Sequence, residues 1–85
     1  MKISTLTNFK IIQKQDRNNQ NYYIIFDNDN ENNNAYFCWK GTVKNGWDSL
    51  QNSQDLKEIE IEWEQNEKGN KVINIHAERE SEFLI

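Results

Sequence analysis

One histidine, His76, and one cysteine, Cys38, are the side chains of this chain suited to proton transfer or thiolate chemistry near neutral pH. A general base needs a nucleophile or acid held within hydrogen-bond reach, and the sequence supplies His76 with no such partner. It alternates with Ile75 and Ala77 and is expected on the face of Val72 and Asn74. Cys38 lies between Phe37 and Trp39, with Lys40 as its one basic neighbour, and reads as a small packing residue. The run Asp27-Asn28-Asp29-Asn30-Glu31 puts oxygen ligands at alternating positions, as calcium loops do. The pattern then fails, because Asn32 stands where the turn glycine is needed and Cys38 where the closing bidentate glutamate belongs. A solvated hairpin tip is the expectation. Nothing here calls for a chemical step, a metal or a cofactor, and the chain is expected to bind rather than catalyse.

The acidic residues follow a different logic. Lys57 to Glu64 alternates strictly, with Ile59, Ile61 and Trp63 separated by Glu58, Glu60, Glu62 and Glu64. Successive side chains on a strand point to opposite faces, so this is a one-sided strand with three apolar residues in a core and a carboxylate ladder in water. Such a ladder keeps a small sheet soluble and discourages edge pairing. Its sharper use is an acidic surface docking onto a basic protein partner, in the manner of an immunity protein or a nucleic-acid mimic.

Eighty-five residues make one domain, 1–85, with a modest core that ten aromatic side chains must supply. One cysteine allows neither an intramolecular disulfide nor a cysteine-based zinc cage, and the expected location is cytoplasmic. No signal region is visible at the N-terminus, and no stretch nears the roughly 20 apolar residues of a membrane span, so no membrane role is expected. A net charge of −4 opposes binding to nucleic acid by bulk electrostatics. The charge is segregated, however. Lys2, Lys10, Lys14 and Arg17 face only Asp16 within residues 1–26, and Lys40 and Lys44 face no acid within 35–47, whereas residues 48–67 carry seven acids against Lys57. Local fields of both signs therefore coexist.

These side chains must be positioned by short β elements separated by Asn-rich turns. The first strand is expected within Ile3 to Lys14, the second over Tyr22 to Phe26 and the third over Ala35 to Lys40, ended by Gly41. Thr42 to Asp55 holds Trp47 and Leu50 three apart, consistent with a short helix having Asn45 or Asp48 near its start. The fourth strand spans Leu56 to Glu64 and the fifth Lys71 to Ala77, with a turn over Asn66 to Asn70. Phe83, Leu84 and Ile85 in the tail are available to pack.

The order of strand, strand, strand, short helix, strand, strand resembles the OB-fold, an all-β, five-stranded Greek-key barrel with a helix between its third and fourth strands. The resemblance spans the chain and rests on element order. It implies a ligand surface on strands two and three, flanked by the loops between strands one and two and between strands four and five. With Tyr22, Ile24, Phe26, Phe37 and Trp39 inward, alternation sends Tyr23, Ile25, Tyr36, Cys38 and Lys40 outward. Tyr23, Tyr36 and Lys40 would then form a stacking platform, with Lys14, Arg17, Lys68 and Lys71 in the flanking loops. That composition fits single-stranded nucleic acid, whose bases stack on aromatics while cations track its backbone. Both strands are apolar on both sides, so a one-residue slip exchanges platform and core.

Overall fold

A computed structural model of the chain describes residues 1–30 and 34–79. It contains β1 (Lys2–Leu6), β2 (Phe9–Gln15), β3 (Asn21–Asp27), β4 (Ala35–Trp39), α1 (Trp47–Gln51), β5 (Leu56–Asn66) and β6 (Gly69–Arg79). The strands form one sheet in the order β1-β5-β6-β4-β3-β2. All neighbours are antiparallel except β4 and β6, which pair in parallel through Tyr36–Asn70 and Phe37–Lys71. No helix among the described residues is long and apolar enough to cross a membrane.

The alternating segment forms the expected one-sided strand, since Ile59, Ile61 and Trp63 are buried and Glu60 and Glu64 exposed. The first strand is not continuous. It breaks at Thr7 and Asn8 into β1, which pairs with β5, and β2, which pairs with β3. The sheet therefore has six strands rather than five. Its two edge strands are consecutive in the chain but do not pair with each other, so it is not closed. The adjacent Ile11 and Ile12 take opposite faces of β2: Ile11 and Phe9 pack against the core, while Ile12 lies opposite Ile24 on the other face. Hydrogen bonds pin the link to the tip after β3. Asn28 N–H donates to the Asn8 carbonyl at 2.9 Å, and Asn8 Nδ2 donates to Asp29 Oδ1 at 3.1 Å.

The helix falls in the expected interval and turns Leu50 and Trp47 towards the core. Neither expected side chain caps it. Gly46 occupies the N-cap with φ of 91°, and Asn45 instead donates through Nδ2 to Asn74 Oδ1 at 2.9 Å, lying beside β6 in a parallel bridge. That close approach requires glycine, because a Cβ on Gly46 would press into the Ile75 carbonyl oxygen. A register irregularity between Glu62 and Trp63 leaves Ile73 as an extra residue on β6. Alternation is reset there, so Val72 is buried while His76 is exposed opposite Glu60, on the other face from Val72. The tail residues Phe83, Leu84 and Ile85 lie outside the described residues.

Candidate functional site

The two-sided strands β3 and β4 pack the opposite way from the expected one. Tyr23 and Tyr36 are 8 % and 3 % exposed and belong to the core with Ile25 and Cys38. Tyr36 meets Trp63 edge to face at 5.1 Å, and Tyr23 meets Trp47 in the same manner at 5.3 Å. Neither tyrosine is free to stack on a ligand. The outer face carries Tyr22, Ile24 and Phe26 of β3 against Trp39, Phe37 and Ala35 of β4, paired in that order.

The reason for the reversal lies in the neighbouring strand. The connection Asp16–Gln20 is fixed by the Asp16 carboxylate, which accepts from Asn18 N–H at 2.8 Å and Gln20 N–H at 2.9 Å. This turn sets the register so that Lys14 lies opposite Tyr22 and Lys10 opposite Phe26. Directly opposed residues of a ladder share a face, so burying Tyr22 and Phe26 would drag two ammonium groups towards the core. Water takes Lys10, Lys14, Tyr22 and Phe26 together. Counting back from the turn to these two lysines was the sequence signal for the correct face.

The outer face is a shaped surface rather than a scatter of exposed rings. Tyr22 and Trp39 stack across the strands with centroids 4.2 Å apart and planes 23° from parallel. Phe37 lies next along β4, beside Gly69 of the β5–β6 turn, where an added Cβ would come within 3.1 Å of the ring. Tyr22, Phe37 and Trp39 are each half-buried. They line a largely apolar groove of about 280 Å³ whose wall also includes Lys68 and Lys71. Asn66 Oδ1 accepts from Lys68 N–H at 2.8 Å and shapes the turn that presents Lys68. Asn70 is buried at the foot of the groove, where its Nδ2 donates to the Ala35 carbonyl at 3.1 Å and ties the turn to β4.

Of the seven residues expected to form the site, Lys14 lies within β2 and Lys71 within β6 rather than in the flanking loops, and both border this face together with Lys68 of the β5–β6 turn. Arg17 is exposed in the β2–β3 connection. Lys40 lies one residue beyond the end of β4, where strand alternation no longer governs its direction, and it opens onto a separate cleft. Sequence reasoning turned Tyr22, Phe37 and Trp39 inward, whereas their half-buried rings lie on the outer face. Lys71 Nζ lies 3.9 Å from Glu64 Oε2. Such a solvent-exposed pair contributes about 0–1 kcal/mol, so a phosphate can compete for the ammonium.

Charge follows the same division. The outer face of β1 and β5 carries Glu58, Glu60, Glu62 and Glu64, with the exposed Ile3 directly opposite Glu62. Glu62 Oε2 accepts from Asn74 Nδ2 at 3.3 Å. A further cavity of about 630 Å³ lies between β2 and the connection from α1 to β5, where the sheet is open. It is lined by Gln13, Gln51, Asn52 and Gln54 among others, and no Lys or Arg among the described residues lines it to receive an anionic ligand.

Cys38 is fully buried, and desolvation pushes its thiol up to about 12. It is therefore no thiolate nucleophile at neutral pH. The folded protein is expected to resist a thiol reagent such as dithionitrobenzoate at pH 8 and to react once urea unfolds it. Rapid reaction of the native protein would mean that β4 is turned the other way. The same shift makes a stability prediction. Between the unfolded thiol's value, near 8.5, and about 12, the unfolded state has lost a proton that the folded state retains. Stability conferred by burying the neutral thiol is thus complete below that window and falls as pH rises through it.

No family model, curated protein or solved structure matches the chain. The site is accordingly described by its own geometry.

Proposed function

We propose that this chain is an OB-like domain that binds single-stranded nucleic acid across the outer face of β3 and β4, with no chemical step. Counting β1 and β2 as one bent strand gives five strands with α1 between the third and fourth, and the parallel β4–β6 pair fits the same topology. The observation that carries the functional reading is the half-buried row Tyr22, Trp39 and Phe37, set in a groove bordered by lysines. Planar rings on an open sheet face suit unstacked bases, and Lys14, Lys68 and Lys71 lie where a phosphate chain crossing the strands would pass.

Electrostatics give the test. Single-stranded nucleic acid releases counterions on binding with a log–log salt slope of about −0.7 per phosphate neutralised, so three lysine contacts give about −2. Anisotropy of a labelled oligonucleotide measured across salt concentrations is expected to show this slope, and Lys71→Ala to flatten it by about 0.7. A slope near zero would remove the lysines from the interface.

The acidic face supports a second reading, a protein-interaction module with a basic partner, because the Glu ladder surrounds the exposed Ile3. The two are separable. Glu60→Gln with Glu62→Gln is expected to leave oligonucleotide affinity within about twofold, since both carboxylates lie outside the groove.

A further inference from the structure

The groove on β3 and β4 ends at Trp39, but the surface beyond is not closed. Trp39 also borders a second cleft, about 560 Å³ against about 280 Å³ for the first, between the β2–β3 connection and α1. Its wall includes Gln20, Asn21, Lys40, Trp47 and Gln51 and, among the described residues, no carboxylate. We infer that the nucleic-acid track continues past Trp39, over the end of β4, into this cleft, with Trp47 as a further stacking surface and Lys40 as its phosphate contact. This rests on the reading of the first groove as a single-strand site and extends it to a longer ligand.

Three observations carry the extension. Both clefts include Trp39 in their walls, so the Tyr22–Trp39 stack is the point at which they meet. The second cleft is preformed. Trp47 is held edge-on by Tyr23, and the loop that supplies Gln20 is fixed by the Asp16 carboxylate. At Gly41, which also lines the second cleft, a Cβ would meet nothing within 4 Å, so the surface there is open. The chemistry is complementary as well. Lys40 supplies a cation, and the side-chain amides of Gln20, Asn21 and Gln51 offer donors and acceptors to base edges that a duplex would conceal. A peptide would suit this wall less well, because each cleft presents an aromatic ring beside a lysine, the pairing that bases and phosphates require.

The test compares thymidine oligonucleotides of about four and about ten nucleotides, lengths within the range bound by single domains of this type. The wild-type protein is expected to bind the longer one about thirty-fold or more tightly than the shorter, beyond the statistical gain from extra registers. K40E should abolish most of that gain and leave the short oligonucleotide almost unaffected, whereas K71E should weaken both. Lys40 is exposed, so its replacement leaves the fold intact. A length gain no greater than the statistical one, or a K40E variant that binds both lengths like the wild type, would overturn the extension while leaving the first groove standing. Failure of the wild type to bind either oligonucleotide at low salt would overturn both.

Discussion

Trp63→Ala is expected to destabilise the domain by about 3–5 kcal/mol, the range for truncating a buried large aromatic side chain. For a chain of this size total stability is about 4–13 kcal/mol, so the loss is a large fraction of the whole. The cost has several identifiable parts. Trp63 is 7 % exposed and packs edge to face on Tyr36. Its indole N–H donates to Ser4 Oγ at 2.9 Å, and Lys2 Nζ sits 5.1 Å from the ring centroid. The residue therefore joins β5 both to the core side of β4 and to β1, whose neighbour in the sheet, among the described strands, is β5 alone. Urea denaturation of wild type and variant, monitored by circular dichroism, measures the difference. A loss below about 1 kcal/mol would show that Trp63 does not face the core.

The second large effect concerns binding. Tyr22→Ala combined with Trp39→Ala is expected to lower affinity for single-stranded DNA by about ten- to hundred-fold, from about 1–3 kcal/mol per stacked base. The two rings stack on each other, so their contributions are coupled, and the double variant is more informative than the sum of the singles. Both side chains are half-buried on the outer face and lie outside the main core cluster. Their removal is therefore expected to cost less stability than loss of Trp63. Unchanged affinity in a folded double variant would separate nucleic-acid binding from this face.

The two variants also mark where the sequence is legible and where it is not. The β5 pattern is unambiguous because glutamate cannot be buried cheaply without a partner, so Ile59, Ile61 and Trp63 have one possible direction. Tyr22 to Phe26 carries no such asymmetry. Every residue there is acceptable to a core, and facing is decided by Lys10 and Lys14 on the adjacent strand through a register set by the Asp16 turn. Tyr23 and Tyr36 accordingly changed places with Tyr22, Phe37 and Trp39, while Lys14, Lys68 and Lys71 remained around the site because their positions depended on strand and turn location. Two further departures have local causes. The break at Thr7 and Asn8 serves two different sheet partners, and the irregularity at Ile73 shifts His76 away from Val72. Both arise from long-range pairing, to which a local alternation pattern is blind.

The most direct test of the account is amide chemical-shift mapping of the labelled protein during titration with a short single-stranded oligonucleotide at low salt. The account predicts saturable shifts centred on Tyr22, Ile24, Phe37, Trp39 and the turn from Lys68 to Lys71, with Glu58 to Glu62 unaffected. Shifts confined to β1 and the acidic face of β5, or none at saturating oligonucleotide, would contradict it.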